Sequence, residues 1–237
     1  MEDGIEQTEE DLDKYTWATV DFKAWPKTSR LFREIIVTEK IDGTNSHILI
    51  TPINKKYQDP NMLTYFYGPD ASTWGVFAGS RSKFITPGKT TDNYGFAQWV
   101  LNNIEDVKKL GPGHHYGEWW GNGIQRNYGL KEKRFSLFNV TRWCLHNEEP
   151  REIQSEWATE KKYQDKLPPS IGLVPILYRG NFSTVQVELE LRCLRDCGSK
   201  AAPGFYNPEG IVVYHTQSLH SYKVLIENDD KPKSNAS

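Results

Sequence analysis

Apolar positions in this chain fall in short runs separated by polar stretches rich in glycine and proline. The runs at 32–38 and 46–51 read as strands on either side of Glu39-Lys40-Ile41-Asp42-Gly43-Thr44-Asn45. Further strand-like runs lie at 75–80, 115–119, 134–143, 171–177, 210–214 and 222–226. Helical spacing appears in 93–110, where Phe96, Val100, Ile104 and Val107 recur at steps of three and four. Asp92 precedes that stretch as an N-cap and Gly111-Pro112 closes it. A second helix is predicted over 184–197, after the capping-box pair Ser183 and Gln186 and before Gly198. The polar stretch 148–166 predicts a third, exposed helix. Strands and helices do not alternate regularly, which disfavours a doubly wound parallel sheet. The expectation is an α+β fold, with antiparallel sheets flanked by helices in a single domain over 1–237 and a polar tail at 229–237.

Composition narrows the function classes. The chain has 237 residues, 37% hydrophobic and 13% aromatic, enough for a sizeable core. Lys and Arg number 29 against 31 Asp and Glu, so a uniformly basic nucleic-acid coat protein is excluded while a local basic groove is not. No apolar run has transmembrane length, and the acidic N-terminus does not read as a signal or transit peptide. Cys144, Cys193 and Cys197 form no disulfide framework and point to a reducing compartment, hence a cytoplasmic location, in the host cytoplasm if the protein is viral. No membrane partner is expected.

Lys40 stands at the end of a β-branched run, followed by an acid and a glycine. Lysine is a weak nucleophile at its ordinary pKa near ~10.4 and becomes a good one when burial or cationic neighbours depress it. Gly43 permits a tight turn and close approach of a ligand, and Asp42 suits holding a hydroxyl or orienting the site. The plain structural reading is an exposed lysine before an Asp-Gly hairpin turn. Four later segments carry compatible chemistry. Arg81, in Gly79-Ser80-Arg81-Ser82, is placed to clamp a phosphate or ribose oxygen. Glu118 sits alone in the aromatic run His115-Tyr116-Gly117-Glu118-Trp119-Trp120, where an unpaired carboxylate is costly to bury. Phe138 alternates with Ser136 and Val140 on one strand face and can stack on a base. Glu209 opens one apolar strand and Lys223 lies on the next, a pairing suited to a metal and a phosphate.

The order and local sequences of these segments resemble the covalent nucleotidyltransferase superfamily, which includes polynucleotide ligases and capping enzymes, over roughly 35–230. The resemblance implies a nucleotidyltransferase (ATP-grasp-like) domain and an AMP adduct on Lys40 formed from ATP with Mg2+. It also implies contact of Arg81 with sugar-phosphate, of Glu118 with ribose and of Phe138 with adenine. Glu209 would serve as the metal-site acid and Lys223 as the phosphate contact. Glu39, Asn45 and Tyr116-Gly117-Glu118 are similar to the nick-sealing RNA ligases of bacteriophage type, enzymes of RNA repair. There the acid before the lysine reads the adenine amino group, and the asparagine acts at the RNA ends. The implied partners are RNA ends, a 5′-phosphate and a 3′-hydroxyl.

The chain departs from that pattern at several places. Leu225 stands where a second lysine is usual, Asn139 where Asp is common, and the interval before Arg81 is long. The extra stretch at 51–74 reads as an inserted hairpin or loop near the pocket mouth. Few residues follow Lys223, so neither an OB-fold nor a helical RNA-binding domain is expected, and an adaptor protein could replace the missing C-terminal domain. Arg126, Lys131, Lys133 and Arg134, with Trp119, Trp120 and Tyr128 nearby, and Lys55-Lys56 read equally as RNA-binding surface or as an ordinary solvated face. A DNA ligase, a capping guanylyltransferase core or a non-catalytic nucleotide- or RNA-binding module are the competing readings.

Overall fold

A computed structural model describes residues 22–54, 59–68, 71–138, 143, 167–168, 170–227 and 229. The third helix expected at 148–166, most of the tail, Lys55-Lys56, Asn139 and Cys144 lie outside the described residues. The described chain forms β1 (Glu34–Lys40), β2 (Thr44–Pro52), β3 (Met62–Tyr67), β4 (Thr73–Ser80), β5 (Phe84–Ile85), α1 (Phe96–Asn102), α2 (Ile104–Lys108) and β6 (Gly113–Gly121). Then follow β7 (Lys133–Leu137), β8 (Ile171–Leu173), β9 (Ile176–Asn181), α3 (Thr184–Cys197), β10 (Gly210–His215) and β11 (His220–Leu225). No helix among the described residues is long and apolar enough to cross a membrane.

The strands make two sheets. The smaller has the order β11-β10-β1-β9; the larger runs β3-β4-β2-β6-β7-β8, with β5 paired to β4. β1 and β2 therefore belong to different sheets. Lys40 and Asp42-Gly43 do not form the hairpin turn of the plain reading; they carry the chain from one sheet to the other. Within the smaller sheet Ile35, Val37, Ile211 and Val213 bury one face against α3 through Leu194 and the partly buried Val187 and Leu191. Those helix positions repeat at four and three, which is why this sequence lays a helix there. The Ser183 hydroxyl accepts from the Gln186 amide, and the Gly198 amide donates to the Leu194 carbonyl, so both helix ends fall where expected.

In the larger sheet Ile48, Ile50, Val76 and Ala78 pack on Phe96, Ala97, Val100 and Val107 of the α1–α2 pair. The opposite face of this sheet carries Asn45, His47, Tyr116 and Glu118, since Asn45 pairs with Glu118 and His47 with Tyr116 across β2 and β6. The two sheets meet where Ile36, Ile176 and Tyr214 pack beside Leu173.

Several sequence-based expectations need correction. The helix over 93–110 is two helices. Asn103 breaks it, because its side-chain amide donates to the Trp99 carbonyl at 2.8 Å and competes with the helical ladder. Asp92 still serves the first turn, accepting from the Ala97 and Gln98 amides, although Gly95 is the residue that precedes the helix. The strand expected over 134–143 ends at Leu137 before Phe138, and 139–142 lie outside the described residues. The run 171–177 splits into β8 and β9 on different sheets, because Pro175 cannot donate to a ladder. The Val174 amide still bonds to Leu137 of the larger sheet, while the Pro175 carbonyl already accepts from Glu39 of the smaller. The sheets are not wholly antiparallel: β8 lies parallel to β7, which the long connection between them permits. The 51–74 stretch supplies an edge strand, β3, on β4.

Candidate active site

Lys40 closes β1 opposite Gly210 of β10, so Glu209 arrives beside it from the loop that opens β10. Lys40 Nζ donates to Glu209 Oε2 at 2.5 Å, with side-chain exposures of 23% and 8%. The segment between the sheets is held from both sides. The Gly43 amide donates to Glu118 Oε1 at 3.1 Å, and the Asp42 amide donates to the Tyr128 hydroxyl at 2.8 Å. A Cβ at position 43 would lie 2.5 Å from the Trp119 carbonyl oxygen and 2.7 Å from Trp120 Cβ. Only glycine lets the turn close on β6 and bring its amide to Glu118.

Arg126 is the residue that reading the sequence misplaced. Its sequence neighbourhood reads as a basic cluster facing RNA or solvent. Its Nε instead donates to Asp42 Oδ2 at 3.0 Å, and its Nη1 donates to the Asn207 carbonyl and side chain at 3.1 and 2.8 Å. One guanidinium thus ties the Asp-Gly turn to the loop that delivers Glu209. The signal available was only an arginine in a turn-rich stretch, 84 residues from its partner. The rest of that cluster is also partly committed: Lys133 donates to the Tyr94 carbonyl, and Arg134 pairs with Glu132 and lies over Trp120. Trp119, Trp120 and Tyr128 are not exposed aromatics for RNA. Each is 2% exposed, because β6 is central in the larger sheet and the Tyr128 turn packs beneath the Asp-Gly segment.

Phe138 follows β7, anchored by its amide to the Tyr116 carbonyl, and packs beside Ile41, Trp120 and Tyr128 at the wall of the site. Lys40, Asp42, Asn45, Glu118, Phe138 and Glu209 are therefore brought together. Lys223 pairs with Val212, which pairs with Thr38, so it shares the Lys40 face of the smaller sheet but sits exposed on the edge strand. Leu225 occupies the Lys40–Gly210 row. Arg81 is exposed in the turn after β4, next to Ser80, which pairs with Ser46 of β2. Glu39 alternates to the other face of β1. Its carboxylate accepts from the Ser199 hydroxyl at 2.6 Å and from the Lys200 and Ala201 amides at 2.8 and 2.9 Å. Burial raises its pKa above the ordinary carboxylate value, against those three donors.

Glu118 has the informative electrostatics. Burial lifts its carboxyl from 4.5 to about 7, opposed by Lys40 and the Gly43 amide and reinforced by Glu209 and Asp42. A carboxyl that titrates higher in the folded chain keeps a proton that the unfolded chain has released. Its contribution to stability is therefore complete below about pH 4.5 and is lost as pH rises through about 7. The full loss is on the order of 3–4 kcal/mol at ~1.4 kcal/mol per pH unit, most of it between about pH 5 and 8. Urea unfolding at about pH 5 and about pH 8 should show that decline in the wild type and a smaller one in Glu118→Gln, which still accepts from Gly43.

Among the described residues no cluster of three His, Cys, Asp or Glu side chains could cage a metal ion. A hydrated magnesium ion needs only one or two carboxylates together with substrate phosphates. Glu209 and Glu118, hard oxygen donors flanking Lys40, fit that requirement.

A family model described as RNA ligase matches residues 33–225. No curated protein matches the chain. Solved structures similar to it include three of a Naegleria gruberi RNA ligase. An apo mutant has TM-score 0.47 and 18% identity, covering 81% of this chain and 49% of that one. A mutant with ATP and Mn has TM-score 0.49 and 19% identity, covering 86% and 53%. A structure with PPi has TM-score 0.47 and 18% identity, covering 84% and 52%. The chain spans about half the length of those solved chains.

Proposed function

The chain belongs to the RNA ligase family, and from that premise we propose that it joins a 5′-phosphate RNA end to a 3′-hydroxyl RNA end, using ATP and an AMP bonded to Lys40 Nζ. The observation that carries the reading is the convergence of one lysine and two carboxylates, Glu118 and Glu209, across the two sheets.

Lys40 Nζ must first lose a proton, and Glu209 Oε2 at 2.5 Å is the acceptor placed to take it. Nζ then attacks the α-phosphorus of ATP; a P–N bond forms, the bond to the β-phosphate oxygen breaks, and pyrophosphate leaves. The 5′-phosphate of RNA next attacks the same phosphorus and returns the electron pair to Nζ. Finally the 3′-hydroxyl attacks the activated 5′-phosphorus, gives up its proton and expels AMP. Glu118 is the ribose contact in this reading, Phe138 the adenine wall, and Asn45 the residue nearest the RNA ends. Arg81 and Lys223 supply positive charge for phosphates. Glu39 acts through the 199–201 segment to fix the adenine side of β1. Magnesium held at Glu209 would neutralise phosphate charge. Arg126 holds Asp42 and the Glu209 loop in one geometry, which is how positioning reduces the barrier.

Intact mass after incubation with ATP and magnesium, and separately with GTP, tests the reading. A gain of one AMP with ATP and no gain with GTP is expected. A GMP adduct instead would assign a capping-type guanylyltransferase, and no adduct with either nucleotide would reject covalent transfer.

A further inference from the structure

The site occupies one end of the open face of the larger sheet, and that face continues beyond it. Two residues along β2 from Asn45 stands His47; two residues along β6 from Glu118 stands Tyr116, with His114 two further. Each step is about 7 Å along the strand. The rings make one group. His114 and Tyr116 are parallel, with centroids 5.5 Å apart, and His47 lies 5.3 Å from Tyr116, 5.7 Å from His114 and 5.9 Å from Phe84. Phe84 in turn rests on the buried Phe77 at 5.3 Å. Sequence builds the floor: the His47 ring lies flat over Gly79, where a Cβ would come within 2.1 Å of it. His114 is exposed, Tyr116 is 38% exposed and Phe84 36%. Burial and the neighbouring His114 hold His47 below its ordinary pKa, so it presents a neutral ring at neutral pH. Arg81 and Lys83, both exposed, sit in the turn that leads into Phe84.

We propose that His47, Phe84, His114 and Tyr116 form a stacking platform for unpaired bases of the RNA strand beside the end being joined. Three features favour a single strand over a duplex as the occupant. Bases inside a duplex are already stacked and cannot reach aromatic faces, whereas unpaired bases can be splayed onto them. The chain's net charge of −2 leaves little counterion release to hold a duplex backbone, so affinity must come substantially from stacking. Among the described residues, Arg81 and Lys83 stand in the turn before Phe84, suited to pin a phosphate or two rather than track a helix. The platform rests on the proposed ligase function but is read out separately from it.

The test uses the full chain and a fluorescent single-stranded RNA of about ten nucleotides. Binding is followed by anisotropy alongside AMP transfer from labelled ATP. A double variant, His114→Ala with Tyr116→Ala, should bind the oligonucleotide roughly 10-fold or more weakly, since one stacked base is worth ~1–3 kcal/mol. It should take up AMP at the wild-type rate, which also reports that it is folded. Tyr116→Phe, which keeps the ring, should bind as the wild type does. Unchanged RNA affinity in the double variant overturns the platform, and so does a loss equally large for a nicked duplex. Absence of AMP uptake by the wild type would count against the ligase reading and leave the binding comparison to judge the platform.

Discussion

Lys40→Ala is expected to abolish transfer of AMP from ATP to the protein, by at least about 10⁴-fold, because the variant has no atom to form the P–N bond. Labelled ATP with denaturing electrophoresis measures it directly. The substitution also leaves the Glu209 carboxylate, 8% exposed, without its partner. That costs about 1–3 kcal/mol of stability, which is too little to unfold a chain of ordinary stability but enough to demand a control. RNA already carrying an adenylate on its 5′-phosphate supplies one. Sealing such RNA needs the pocket and the 3′-hydroxyl but not a new adduct on Nζ. Lys40→Ala should therefore join pre-adenylated RNA while failing with ATP and 5′-phosphate RNA. AMP transfer persisting in the variant would place the nucleophile elsewhere, and the role of the whole inter-sheet segment would fall with it.

The features that sequence reading located well are those set by local chemistry. Ile35-Ile36-Val37 could only be a buried strand, and Ser183, Gln186 and Gly198 bracket α3 because caps answer local hydrogen-bond needs. Lys40, Glu118 and Glu209 were legible as a group only through their resemblance to a known order of motifs; no spacing rule would pair positions 40 and 209. What was illegible depended on which sheet a strand joins. The run 171–177 has uniform apolar character, yet it divides at Val174-Pro175 between two sheets. Trp119, Trp120 and Tyr128 look the same in sequence whether they face RNA or the core, and packing decided for the core. Arg126 was legible as a charge but not as a clamp, because its partners Asp42 and Asn207 lie 84 and 81 residues away. The aromatic platform was hidden for a related reason: His47, Phe84, His114 and Tyr116 become neighbours only when β2, β5 and β6 join one sheet.

Glu209→Ala separates two opposed contributions of one carboxylate. As the ion-pair partner of Lys40 at 2.5 Å, Glu209 engages the amine and so holds back the nucleophile. If that were its whole role, removing it would speed AMP uptake. As proton acceptor and metal-site acid it stabilises the charge that develops on the phosphates, and loss of such a group costs about 10²–10³-fold in rate. The pairing contributes about 1 kcal/mol in a partly exposed setting. Losing it returns at most about a fivefold gain. The second contribution should win. Glu209→Ala is expected to lower AMP uptake by about 20-fold or more near neutral pH. Glu209→Gln, which keeps the shape but neither charge nor proton acceptance, should be no better than alanine, whereas Glu209→Asp should recover part of the rate. Faster uptake in Glu209→Ala, or full activity in Glu209→Gln, would show that this carboxylate only restrains the lysine, and the metal and proton-transfer roles proposed for it would have to be withdrawn.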